Sequence, residues 1–190
     1  MGTRHLSMAI NKKGEVKVAQ YGQWDGYPEG QGQEILKFLR SCDLKKLEKE
    51  IETTKFLTSS AIKKLWKECG ANGSNFVSGE VSSKFKEKHP ALSRDTGGKV
   101  FSLIHDGIKE LQDSSDFVND SLFCEYCYVI DFKKRTFEVY RGFNEKSLAK
   151  TERFYKPYTS DKYYPVKFVK SYSLDKLPTI KKFLTDLKNK

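Results

Sequence analysis

Long apolar runs are absent from this sequence: none comes near the roughly 20 residues that a membrane span requires, and the opening Met1-Gly2-Thr3-Arg4-His5 has no apolar signal region. These absences predict a soluble, cytoplasmic protein with no membrane partner. Cysteine is scarce, four in 190 residues, and without an export signal the thiols are expected to stay reduced. Histidine is scarcer still. His5, His89 and His105 are the three, and no metal-ligand spacing relates them, so they read as surface or partly buried structural residues and no metal site is expected. Neither an internal repeat nor a flexible linker divides the chain, which predicts a single domain over residues 1–190.

What is present can build a core. Hydrophobic residues make up 37% of the chain and aromatics 13%, enough to exclude disorder for most of it. Positive charge is in surplus, with 35 Lys and Arg against 25 Asp and Glu and a formal net charge of +10. The surplus favours polyanions or acidic surfaces as neighbours and says nothing about fold. Its distribution is uneven, because residues 141–190 hold thirteen Lys or Arg and five Asp or Glu, a local net of +8.

Leu6, Met8 and Ile10 alternate with His5, Ser7 and Ala9, the pattern breaks at Asn11-Lys12-Lys13-Gly14, and Val16 and Val18 resume it. This predicts a β-hairpin over residues 5–21. From Gln33 the apolar period lengthens to that of a helix through Ile35, Leu36, Leu39, Leu44 and Leu47, with a break at Cys42-Asp43. Thr58 or Ser59 can cap a helix that stops at Gly70, and Val81 and Phe85 suggest another before Pro90. Val100, Leu103, Ile104, Ile108 and Leu111 mark an amphipathic helix over 100–111. Strand character returns over 123–132 and 136–140, with a turn at Lys133-Lys134-Arg135. A strand at 166–172 and a helix after Pro178 follow. The expected fold is α+β: one mostly antiparallel sheet from N- and C-terminal hairpins, with a helical insertion over 33–115.

Several segments carry chemistry worth weighing. Gly22-Gln23-Trp24-Asp25-Gly26-Tyr27-Pro28-Glu29-Gly30-Gln31-Gly32 packs four glycines and a proline into eleven residues, which forbids regular structure. A phosphate cradle is disfavoured there: the dinucleotide fingerprint wants glycine where Ile35 stands, the P-loop ending is missing, and Glu29 and Glu34 are already negative. The expected roles are a turn fixed by Asp25, with Trp24 and Tyr27 covering the core, or a pocket of Gln20, Gln23, Asp25 and Tyr27 for a small polar ligand or partner. Asp95-Thr96-Gly97 matches the aspartic protease triplet, but that chemistry needs two carboxylates and only one triplet is present. Cys124-Glu125-Tyr126-Cys127 has a zinc or redox spacing, yet its place in a strand would set the thiols on opposite faces as half-buried structural residues. Thr3 opening a strand is a weak candidate for an N-terminal nucleophile, for which Gly2 would also have to be removed. In the basic stretch, Arg153, Tyr155, Lys156, Tyr158, Lys162 and Tyr163 form a candidate stacking and phosphate-contact surface for single-stranded nucleic acid. No cofactor is implied.

Met1-Gly2-Thr3-Arg4 together with Val18-Ala19-Gln20-Tyr21-Gly22-Gln23-Trp24-Asp25-Gly26-Tyr27-Pro28-Glu29-Gly30-Gln31-Gly32 resembles the opening of a family of bacteriophage proteins with no assigned activity. Fungal proteins with a similar opening resemble it more distantly. The resemblance covers about the first 40 residues. It implies a phage or mobile-element origin and marks Thr3, Arg4, Gln20, Gln23, Asp25 and Tyr27 as signature positions. The function expected is a non-catalytic binding protein that engages a host protein or small ligand in the host cytoplasm, for host takeover or anti-defence. It would do so through Arg4, Gln20, Gln23, Trp24, Asp25 and Tyr27.

Overall fold

The computed structural model describes residues 2–72, 77–157 and 162–188. The predicted N-terminal hairpin is present as β1 (His5–Ile10) and β2 (Val16–Gly22). Its turn is held by the Asn11 side chain, whose Oδ1 accepts the amides of Lys13 at 3.1 Å and Glu15 at 2.8 Å. The helical middle begins with α1 (Gln33–Ser41) and α2 (Leu44–Glu52), which break at Cys42-Asp43 as the periodicity predicts. A two-residue strand β3 (Lys55–Phe56) separates them from α3 (Ser59–Glu68) and α4 (Gly79–Lys88). The helix α5 (Val100–His105) and a second short strand β4 (Glu110–Leu111) complete this part. The chain then forms β5 (Tyr126–Asp131), β6 (Thr136–Arg141), β7 (Lys167–Ser173) and α6 (Ile180–Leu187). Asp43, Thr58, Ser78 and Thr179 each cap a helix by accepting an amide of its first turn, an arrangement worth about 1 kcal/mol per cap.

The fold is α+β, and the two hairpins do share one sheet, of order β2-β1-β5-β6-β7. Three of its pairings are antiparallel. The fourth joins β1 to β5 in parallel, so that Ser7 lies between Gln20 on one side and Tyr128 on the other. Alternation along the strands divides the apolar side chains between two cores. Ala9, Val18, Tyr128, Ile130, Phe137 and Val139 face the helices, where Ile35, Leu47, Phe101 and Phe183 pack on them. Leu6, Met8, Ile10, Cys127, Val129 and Tyr140 face the other way, under loops that contribute Val118 and Val166.

Two expectations are corrected. The helix expected over 100–111 ends at His105, because Gly107 turns the chain with φ of +106° and frees Glu110–Leu111 to pair in parallel with β3. Leu111 keeps its place in the periodic pattern because the strand buries it in the same core. The two thiols of the Cys124-to-Cys127 spacing lie in one core, not on opposite faces. The strand starts only at Tyr126, so Cys124 sits on its approach, where alternation does not apply. Both cysteines are free and fully buried, and burial pushes both thiols well up from their ordinary range.

On the loop-covered face, Arg153 reaches over the second hairpin. Its Nη2 lies 2.5 Å from Asp131 Oδ2 and 3.0 Å from Glu138 Oε1, and its Nε donates to Glu138 Oε2 at 3.0 Å. The Tyr140 hydroxyl donates to the same Glu138 carboxylate at 2.6 Å. Burial opposes the Arg153 charge, but the Asp131 hydrogen bond and the Glu138 carboxylate outweigh it and raise the pKa of the guanidinium. The bridge fastens the connection between β6 and β7 to the sheet.

Candidate functional site at one end of the sheet

Strands β1, β5 and β7 begin, and β2 and β6 finish, at the same edge of the sheet. The segments that flank those strand ends therefore lie at one end of the sheet, spread from β2 on one side to β7 on the other. Next to β1 stands Arg4, and after β2 come Trp24, Asp25 and Tyr27. Leu122 and Phe123 precede β5, Phe143 follows β6, and Phe168 lies at the start of β7. Backbone bonds tie these segments together: Gly26 N donates to Thr3 O at 2.9 Å, Glu125 N to Arg4 O at 3.1 Å, and Phe143 N to Ser121 O at 2.7 Å.

The Gly-rich turn is built differently from the expectation. Trp24 and Tyr27 do not cover the core but stand 48% and 40% exposed. The turn is closed through the backbone of Asp25, with φ of +55°, whose carbonyl accepts the Gln31 amide at 2.8 Å. Among the described residues the Asp25 carboxylate bonds no amide; it accepts the Tyr27 hydroxyl at 3.1 Å, and that bond raises the phenol pKa. Trp24 Nε1 donates to Asp95 at 3.1 Å, and Lys86 bonds the same carboxylate at 3.1 Å. Partial burial of Asp95 is offset by these two donors, which lower its pKa. The amides of Gly30 and Gly32 are bonded to Tyr27 O, which leaves no open phosphate cradle at Gly30-Gln31-Gly32.

Gln20 and Gln23 serve the scaffold. Gln20 is buried and donates to the carbonyls of Tyr21 at 3.0 Å and Ser93 at 2.9 Å. Gln23 accepts the Tyr21 hydroxyl at 2.5 Å, while its amide donates to Arg94 O at 3.0 Å. The polar pocket expected from Gln20, Gln23, Asp25 and Tyr27 is thus divided, with two residues holding the 93–95 loop and two facing outward. Arg4 places its guanidinium carbon 4.3 Å from the Phe123 ring centroid, a cation–π contact. Thr3 gives its carbonyl to Gly26. Beside it Gly2 lies so close to Trp24 that a Cβ would come within 2.2 Å of the indole Cε3. The residue ahead of Thr3 is packed against the turn.

The second set of candidates disperses. Arg153 is engaged with Asp131 and Glu138 and is only 14% exposed, so its guanidinium is not presented to a phosphate. Lys156 faces Asp116 at 3.7 Å, and Lys162 pairs with Glu145 at 3.0 Å and lies over the Tyr163 ring at 5.4 Å. Tyr155 and Tyr163 are partly buried. Tyr158 lies outside the described residues.

Sequence reasoning missed two features. The exposed Leu122, Phe123, Phe143 and Phe168 gave one local sign, Phe143 standing alone in the polar run Gly142-Phe143-Asn144-Glu145-Lys146. The other is His5, expected at the surface or partly buried but fully buried with neither ring nitrogen hydrogen-bonded. Its ring lies across Gly22 on the neighbouring strand, where a Cβ would fall 2.0 Å from His5 Cε1. Among the described residues, no group of three or more His, Cys, Asp or Glu could hold a metal ion, and no helix is long and apolar enough to cross a membrane. Comparison with protein-family models, with curated proteins and with solved structures gives no match for this chain.

Proposed function

We propose that this protein is a non-catalytic binding module that docks a protein partner on the aromatic end of its sheet. The observation that carries this reading is the placement of exposed apolar side chains. Of the eight large ones among the described residues, Trp24, Tyr27, Leu122, Phe123, Phe143 and Phe168 all flank the same strand ends. Aromatic rings with an adjacent arginine, here Arg4 over Phe123, are the composition that protein interfaces favour. Phe143 adds support: it is 52% exposed and holds φ of +52°. A left-handed conformation costs an L-residue roughly 1–2 kcal/mol. The Phe143 amide bond to Ser121 O offsets part of that in the free protein, but a half-exposed ring adds little, so its return is sought in a complex.

On this reading the partner is a host protein with an apolar surface, met in the host cytoplasm, as the likeness of the N-terminal segment to phage proteins suggests. The test compares the wild type with Trp24→Ala and Phe143→Gly in affinity capture from host lysate, with sedimentation velocity run alongside. Phe143→Gly is expected to leave unfolding stability unchanged or raise it by up to about 1 kcal/mol. Both variants should lose a partner that the wild type retains stoichiometrically. A partner kept by both variants would refute the site, and self-association through these residues would replace the host protein with a second copy.

A further inference from the structure

The opposite end of the sheet has a contrasting chemistry. There the turn between β1 and β2, the turn between β5 and β6, and helix α2 enclose an open groove of about 800 Å³. Lys12, Lys13, Lys45, Lys49 and Arg135 supply cations to its lining, against the two carboxylates of Glu48 and Glu52. A sixth cation, Lys133, lies over the first turn, its Nζ 3.2 Å from where a Gly14 Cβ would stand. The carboxylates are already engaged, Glu48 with Lys12 at 3.0 Å and Glu52 with Lys13 at 3.2 Å, and Arg135 is held by Asp175 at 2.5 Å. Among the described residues Lys45, Lys49 and Lys133 form no ion pair within 4 Å, Lys45 having only the Asp43 carboxylate in its neighbourhood, so these three supply the spare charge in and beside the groove. Lys45 and Lys49 stand four residues apart, on one face of α2, with a rise of about 6 Å between them.

We infer that this groove binds the phosphate backbone of nucleic acid. Apart from Arg135, which Asp175 already holds, a small free anion would find flexible, hydrated ammonium groups there, Lys12 and Lys13 each being 70% exposed, and would be weakly held. A polyanion gains from engaging several such groups at once, because each contact releases condensed counterions. A lipid surface suits the groove less well, since interfacial binding needs an apolar face beside the cations. Leu44 in the groove's lining and the exposed Val16 nearby are aliphatic and few, and the exposed aromatics lie at the far end of the strands. The surface is also distinct from the 141–190 stretch, whose Arg153 is taken up by carboxylates.

Fluorescence anisotropy with labelled single-stranded and duplex DNA tests the inference. With three or four phosphates engaged, raising salt from about 50 to 200 mM should weaken binding roughly 40- to 150-fold. Lys45→Glu combined with Lys49→Glu should abolish binding. Lys63→Glu with Lys64→Glu on the exposed face of α3 changes the net charge equally and should leave most of it. Equal loss in the two double variants would overturn the site in favour of net charge alone. Absence of binding at the lowest salt, or a preference for anionic phospholipid vesicles over DNA, would overturn the inference as well.

Discussion

His5 makes the stability of this protein depend on pH in a way that can be calculated. Burial without a partner lowers its pKa from 6.5 to about 3. The folded value lies below the unfolded one, so between these limits the unfolded chain binds the extra proton and stability rises with pH. The contribution is complete above pH 6.5 and is lost as the pH falls through the window. The shift of about 3.5 units corresponds to a loss of about 5 kcal/mol in all, and about 2 kcal/mol is already gone at pH 5. A domain of this kind is stable by only about 5–15 kcal/mol, so acid should take a large share. Urea unfolding at a series of pH values, wild type beside His5→Gln, measures the effect. Whatever constant offset the substitution causes, the difference between the two curves should change by about 1.4 kcal/mol per pH unit between pH 4 and 6. Carboxylates common to both proteins cancel in that difference. Parallel curves would show that the imidazole is solvated or partnered, and would refute its burial as a neutral, unbonded ring.

Arg153→Met should cost about 3–5 kcal/mol in denaturant unfolding, because it strands Asp131 and Glu138, 2% and 6% exposed, without a counter-charge. A loss below about 1 kcal/mol would show that the bridge holds little. Gly22→Ala should cost about 1–3 kcal/mol by forcing a methyl into the space of the His5 ring. The penalty should shrink when His5→Ser is combined with it, and strict additivity of the two would contradict the packing of the ring over Gly22.

The elements with local signals could be read from the chain. Asn11-Lys12-Lys13-Gly14 announces its turn, Thr58 and Pro178 announce helix starts, and the period of residues 33–47 with its break at Cys42-Asp43 announces two helices that the structure contains. The parallel pairing of β1 with β5 has no such sign, because nothing within either strand selects the other as its neighbour. Periodicity misled at 108–111, where the same apolar spacing that continues a helix also suits a strand entering the core. Of the candidate site, the Gly-rich turn was found and its orientation was not. Trp24 and Tyr27 are residue types that usually cover a core, and their exposure depends on Gln20, Gln23 and the 93–95 loop occupying the inner side. The burial of His5 likewise requires Gly22 and Gly26 of the turn and the distant Gly97 to converge on it.

The central pairing of β1 with β5 also bears on how the protein is made. Ser7 and Tyr128 are partners 121 positions apart, so during translation the first hairpin leaves the ribosome with one strand edge bare. At about 5–20 residues per second, the 104 positions from Gly22 to Tyr126 take some 5–21 s before β5 begins to be synthesised. Throughout that interval an edge bearing Leu6, Met8 and Ile10 is open to pairing with any nascent chain nearby. Slowed translation ahead of codon 126 should therefore raise the yield of aggregate more than the same delay placed after codon 180, when β5 has emerged and can cover that edge.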